Sequence, residues 1–222
     1  MAVMHRRVGS CGPLSPRPNP TEATLLRLIG KLTVLLVSTA VALAAGSVLV
    51  LVLSFLLRNV LYTSFVDYRN ARDRGASGLI SDEELRSELA AWAAVNPEAS
   101  ALRLHGKALE ITSRELHFAF VKDNTVSTML ATHKAHCVGY SRLYCASFNT
   151  LAKETGQSAK YACTHKVGEI HLLGYNVHDL FSSPSFKDHD FNVITDAEGS
   201  VLLATDPNLY DYSYISKANA GP

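Results

Sequence analysis

The chain has 222 residues, enough for one ordinary domain with an appendage and too few for two full-sized cores. A formal net charge of +1 argues against a role built on a strongly basic, nucleic-acid-binding surface, and 47% apolar residues excludes a disordered or collagen-like chain. The apolar residues are concentrated near the N-terminus, and that unevenness is informative.

Residues 1–23 carry Pro13, Pro16, Pro18 and Pro20 among Ser, Gly and Asn, and read as a flexible tail. From Leu32 to Leu57 there are 26 residues without a charge, where a helix needs about 20 to cross the hydrocarbon core. Arg27 and Lys31 bound the run on one side and Arg58 on the other. A buried core helix of this length would carry a polar face, and this one has none. The small residues Ala42, Ala44 and Ala45 resemble a cleavage site, but the apolar run continues beyond them to Leu57, as an uncleaved anchor does. We therefore expect one transmembrane signal-anchor helix over 24–58, with 32–57 in the bilayer. Arg27 and Lys31 lie tight to its N-terminal side, so the positive-inside rule puts the N-terminus in the cytoplasm and the C-terminal part outside it.

Residues 59–80 are expected to be a linker, since Asn70 to Gly78 is polar and carries two glycines. Ser81 with Glu84 forms a capping-box signature, and Leu85, Leu89 and Trp92 follow at helical spacing. That helix should stop near Asn96-Pro97, within a helical lead-in spanning 81–109. A second helix is expected from Thr112 or Ser113 through Leu116 and Phe120, with Lys122, Asp123 and Asn124 as a solvated turn after it. From Cys137 to Glu154, Tyr140, Leu143, Tyr144, Phe148 and Leu151 recur at three- and four-residue intervals, with Gly156 as a stop. Strand-like runs follow at 159–164, 169–173, 191–195 and 201–205. Helices first and strands afterwards predict an α+β domain with an antiparallel sheet.

The cysteines Cys11, Cys137, Cys145 and Cys163 match no zinc-site spacing, and no metal or cofactor is expected. Cys137 stands at the start of the long helix, where free N–H groups and the dipole favour a thiolate. His133 and His136 flank it without an obvious further ligand. Cys145 and Cys163 could pair as a disulfide outside the cytoplasm, although free buried thiols are the simpler expectation. His165, His171 and His178 fall in or near the middle strands, at surface or core-edge positions.

Asp196-Ala197-Glu198-Gly199 is a turn signal between two β-like runs. A hairpin closed with Asp196 opposite Gly199 puts His189 opposite Asp206. Opposed residues on antiparallel strands have Cβ atoms about 4.5–5.5 Å apart, so the aspartate can hold one imidazole nitrogen. Asp190 should point to the opposite face.

Lys134-Ala135-His136-Cys137-Val138-Gly139-Tyr140-Ser141, with Leu151-Ala152 and Gly156, resembles the nucleophile helix of the transglutaminase-like superfamily, which shares the papain-like cysteine-enzyme fold. His189 to Ile194 resembles that family's His-Ala-Trp-Asn-x-Val strand, and Asp206-Pro207-Asn208 its Asp-Pro-Thr ending. Phe191 stands where the family has Trp, and Leu202 and Leu203 where it often has aromatic residues. The resemblance covers about 110–212 and implies a domain over 110–222, with the nucleophile helix packed on an antiparallel sheet. It further implies Cys137 as nucleophile, His189 as base and then acid, and Asp206 as the orienting carboxylate. The reaction would pass through a thioester on a peptide or protein amide, ending in hydrolysis or acyl transfer. The Cys137 N–H would be one oxyanion donor. Asn192 matches a family position and reads as structural. The alternative is an inactive domain of this type that binds a partner within a membrane-protein assembly.

Overall fold

A computed structural model describes residues 20–75, 77–183 and 186–220, with the side chains of 20, 22 and 23 left aside. Cys11 and most of the expected N-terminal tail lie outside the described residues. The chain divides after Leu53 into two units.

The first unit is helical. Helix α1 covers Pro20–Leu56, so it starts inside the segment expected to be tail. Proline suits a first helical turn, where its missing N–H has no partner to lose. The stretch Thr24–Leu56, 33 residues, is long and apolar enough to cross a membrane, and its most apolar window has no burial within the protein. At 1.5 Å per residue it extends about 50 Å, more than a hydrocarbon core of about 30 Å. Its hydroxyls turn back onto the helix: Thr33 donates to Ile29 O, Thr39 to Leu35 O and Ser47 to Leu43 O.

The second unit is α+β. Helix α2 (Arg58–Phe65) leads directly into strand β1 (Val66–Gly75), followed by α3 (Glu83–Ala94) and α4 (Ala101–Glu115). Short strand β2 (His117–Phe118), helix α5 (Val126–Thr132) and strand β3 (Lys134–Ala135) precede α6 (Cys137–Glu154). Then come β4 (Ala162–Leu172), β5 (Tyr175–Asn176), a 3-10 turn (Val177–Leu180), β6 (His189–Thr195) and β7 (Val201–Thr205). Helix α7 (Pro207–Ser213) and β8 (Asn219–Ala220) complete the unit.

The sheet runs in the order β7-β6-β4-β1-β8, with β5 on β4. All its pairings are antiparallel except β1 with β8. On one face α6 packs with α3 and α4 around Leu89, Leu104, Leu143, Phe148 and Ile194. The other face buries Tyr68, Phe191, Val193 and Ala204. Helix α6 is buried almost all round because it is the element shared by the helical layer and the sheet.

Four expectations are corrected. Residues 66–75 are not a linker: they form β1, a central strand of the sheet, paired with β4 from Val66↔Leu172 to Gly75↔His165. Only Val66 and Tyr68 are buried along it, and two register irregularities interrupt it, so no alternation of apolar residues marks it as a strand. The helix expected from Thr112 in fact ends at Glu115. Thr112 and Ser113 are interior to it, their hydroxyls bonding back to Ala108 O and Leu109 O. Its true cap is Ser100. The capping residue of α3 is Asp82, not Ser81: its carboxylate accepts from Leu85 N at 2.9 Å. The runs expected at 159–164 and 169–173 are one continuous strand, β4.

Candidate active site

Helix α6 begins at Cys137, and its cap is His136, whose Nδ1 accepts from Val138 N at 3.4 Å. Close packing fixes this end of the helix. A Cβ at Gly139 would fall 2.6 Å from Ala135 Cβ and 2.8 Å from Asn124 Oδ1, and closer still to Met129 Sδ. Glycine at this position lets α6 approach α5 and β3, which sets the height at which Cys137 emerges.

His189 opens β6, opposite Gly168 of β4. The hairpin to β7 differs from the expected register: Asn192 pairs with Thr205 and Ile194 with Leu203, whereas Thr195 pairs with Val201. Leu202 is thus an extra residue on β7, and beyond it the pairing is displaced by two from the expected one. Asp206 follows the strand on the diagonal from His189 rather than directly opposite it. A displacement of two preserves the face, because side chains alternate with period two. The pair still forms: His189 Nε2 lies 2.7 Å from Asp206 Oδ2.

Asp206 has a structural task as well. As N-cap of α7, followed by Pro207 at the first helical position, its Oδ1 accepts from Asn208 N and Leu209 N, both at 3.1 Å. Its Oδ2 receives, besides His189, the Tyr68 hydroxyl at 2.8 Å. Because Tyr68 spends its proton there, the Tyr62 hydroxyl, 3.0 Å away, donates to the Tyr68 oxygen. Burial would raise the Asp206 carboxyl, but His189, Tyr68 and Leu209 N outweigh it and hold it below the usual carboxylate range. For His189 burial acts downward; the charge and hydrogen bond of Asp206, with help from Cys137, raise the imidazole well above its ordinary value. The two form an ion pair through Nε2, so Nδ1 is the ring nitrogen that Asp206 does not engage.

A second polar cluster lies beside Cys137. Asp190 is 1% exposed, and its Oδ1 accepts from His165 Nε2 at 2.7 Å and Arg74 Nε at 2.9 Å. Burial raises its carboxyl, but the hydrogen bonds from His165 and Arg74 pull it below the ordinary range. Its Oδ2 lies 3.8 Å from Cys137 Sγ. Asp190 has different partners from His189, yet both residues line the cavity at Cys137, which alternation alone did not lead one to expect. His165, read from sequence as a core-edge histidine, is buried as the partner of Asp190.

Cys137, His189 and Asp190 line one cavity of about 720 Å³, together with His136, His178 and the aromatic side chains of Phe118, Phe120, Phe181 and Phe186. The phenylalanines form a continuous chain, with ring centroids 5.2 Å (Phe118–Phe120), 6.0 Å (Phe120–Phe186) and 5.2 Å (Phe181–Phe186) apart. A slightly larger cavity, about 800 Å³, lies between α3 and α5 and is lined by Glu88, Arg114 and Glu115, with no nucleophile in it.

Cys145 and Cys163 are free thiols; Cys145 Sγ donates to Cys163 O at 2.8 Å, and burial pushes the Cys163 thiol up. His133 ends α5 in a left-handed conformation with Nδ1 2.9 Å from Glu115 O, away from Cys137's partners. Among the described residues, no group of three His, Cys, Asp or Glu is placed to hold a metal ion. Sequence reasoning missed Tyr62, Tyr68 and Arg74, all in the supposed linker, and the four phenylalanines. A tyrosine and an arginine at the ends of a polar stretch carry no local signal of the strand that brings them here. Compared with family models, curated proteins and solved structures, the chain finds no match.

Proposed function

We propose that this is a membrane-anchored thiol enzyme of the transglutaminase-like kind, acting on peptide or protein amides through Cys137, His189 and Asp206. The single observation that supports it best is convergence: a cysteine at a helix N-terminus and an Asp206-paired His189 line the same cavity. In the proposed reaction Cys137 Sγ attacks the amide carbonyl carbon as the thiolate partner of the protonated His189. Collapse of the tetrahedral intermediate breaks the C–N bond, and the leaving amine takes the proton from His189 Nδ1, giving a thioester. Water then regenerates the thiol and releases an acid, or a second amine takes the acyl group. Asp206 keeps the imidazole oriented and stabilises its protonated form. The phenylalanine-lined cavity suits an acyl donor with a large apolar side chain beside the reacting carbonyl.

A thiol-directed acylating probe on the full chain tests this. Labelling should fall on Cys137 and slow by about 100-fold or more in His189→Ala, within the usual contribution of a general base. Equal rates in the two proteins, with unchanged circular dichroism, would remove the catalytic reading.

A second reading, an inactive partner-binding domain, has one observation in its favour. The Asp190 carboxylate 3.8 Å from the sulfur opposes negative charge there. That reading requires function to survive Cys137→Ala. We further infer that α1 crosses the bilayer once with the second unit outside the cytoplasm; protease digestion of the second unit from the cytoplasmic side would reverse that orientation.

A further inference from the structure

The two hairpin turns of the sheet are built from opposite chemistry. In the β6–β7 turn Asp196 Oδ1 accepts from Glu198 N and Ser200 N, and the left-handed residue is Gly199. That is polar turn chemistry for a solvent-facing loop. In the β4–β5 turn, Leu172 pairs with Tyr175, so Leu173 and Gly174 form a two-residue loop, with φ of +52° and +86°. Two successive positive φ angles are the mark of a turn whose first position ordinarily holds Asn, Asp or Gly. A leucine is strained there, and folding recovers little from it: Leu173 is 65% exposed and its neighbour Tyr175 81%. An apolar residue held in a costly conformation at an exposed tip points to a surface outside the domain.

The location of the tip says which surface. Leu173 N donates to Phe65 O at 2.8 Å, and Leu172 pairs with Val66, so the turn abuts the α2–β1 junction, where Phe65 and Leu61 are also exposed. Phe65 is nine residues beyond Leu56, the end of the apolar helix. Nine residues reach about 30 Å when fully extended, and α2 shortens that. The polar β6–β7 turn is at the other end of β4, where Ala162 pairs with Thr195, about 33 Å away along the strand. The apolar tip is therefore at the end of the sheet tethered to the apolar helix, and the polar tip at the far end.

We propose that Leu172, Leu173 and Tyr175, with Phe65, seat in the interfacial layer of the bilayer that α1 crosses, and so hold the sheet end-on to the membrane. Leucine and tyrosine suit that layer, where apolar bodies sink and a phenol stays wet. The inference rests on the reading of α1 as a membrane span. It places the His189 site, opposite Gly168 and four residues from Leu172, about 13 Å along the strand from the membrane surface. Substrates would then be amide-bearing segments presented close to the bilayer.

The test uses the full chain in liposomes containing lipids brominated on the acyl chains. The protein has one tryptophan, Trp92, packed against the core, so wild type supplies the baseline. Leu173→Trp should add an emission that is blue-shifted and quenched at least twofold by bromolipid, while Glu198→Trp should add one that is neither. Should Leu173→Trp fail to fold, Tyr175→Trp replaces it with the same expectation. Protein that floats with the liposomes while the probe at 173 or 175 behaves like that at 198 overturns the docking and leaves the anchor standing. A blue shift without bromolipid quenching means a protein contact and also overturns it. Protein that does not float loses the anchor and the docking together.

Discussion

Tyr68 donates its hydroxyl proton to Asp206 Oδ2 at 2.8 Å, the oxygen that His189 Nε2 approaches to 2.7 Å. The donor comes from a strand 138 residues earlier in the chain, and it leaves the buried carboxylate with a partner on every side: two backbone N–H groups on Oδ1, imidazole and phenol on Oδ2. Tyr68→Phe keeps the ring that packs against Phe191 and removes only this donor, which also strands the Tyr62 hydroxyl. Hydrogen bonds to charged groups contribute about 1.5–3 kcal/mol, so denaturant unfolding should register a loss of about 2 kcal/mol. A loss below a few tenths would mean that water replaces the phenol.

The His189–Asp206 pair makes stability depend on pH in a defined direction. The imidazole is raised in the fold, so its contribution is complete below the unfolded value of 6.5 and disappears as pH rises through the folded one. The carboxyl is lowered, so its contribution is complete above the unfolded value of 3.8 and disappears as pH falls through the folded one. Wild-type stability attributable to the pair should be greatest between these two unfolded values and decline on the alkaline side. Asp206→Asn should flatten that decline in urea titrations run from pH 5 to 9. A mutant that keeps the wild-type slope assigns the pH dependence to other groups.

The Asp190 carboxylate lies 3.8 Å from the Cys137 sulfur and is itself paired with Arg74. Asp190→Asn removes the carboxylate 3.8 Å from the sulfur and leaves Arg74 without its partner, so the net charge facing Sγ becomes more positive. Alkylation of Cys137 by iodoacetamide should accelerate severalfold. Breaking a buried pair is also costly, by about 3–5 kcal/mol, so circular dichroism and a melting curve must accompany the rates. Unchanged or slower alkylation in a folded mutant would show that Asp190 does not act on the sulfur through its charge.

Two glycine-related positions should respond in opposite ways. Gly139→Ala pushes a methyl group onto Ala135 and Asn124, and overpacking of that kind costs about 1–3 kcal/mol. Leu173→Gly relieves a left-handed leucine, a conformation that costs roughly 1–2 kcal/mol, at a site that buries little. In detergent solution the first should melt earlier than wild type and the second later. A lower melting point for Leu173→Gly would mean that the leucine contributes packing not visible in its exposure.

Helix α6 was legible because its signals are local: Tyr140, Leu143, Tyr144, Phe148 and Leu151 keep helical spacing, and Gly156 follows it at φ +72°. The His189–Asp206 pairing was legible for a different reason. The expected hairpin register was off by two, since the extra residue Leu202 does not announce itself, yet an even displacement leaves both residues on the same face. Thr112 was mistaken for a helix start because threonine suits a cap; inside α4 its hydroxyl instead bonds to Ala108 O.

By itself, then, the sequence determined an apolar helix long enough for a bilayer, the helix that begins at Cys137, and the strand parity that brings His189 to Asp206. All three follow from periodicity and turn chemistry within short stretches of chain. Tertiary structure alone decided that residues 66–75 form a strand, that Tyr68 holds Asp206, and that Arg74 and His165 clamp Asp190 beside the sulfur. Strand β1 is stabilised by pairing with β4, about a hundred residues away, and buries only Val66 and Tyr68, so its own residues carry almost no pattern of burial to read.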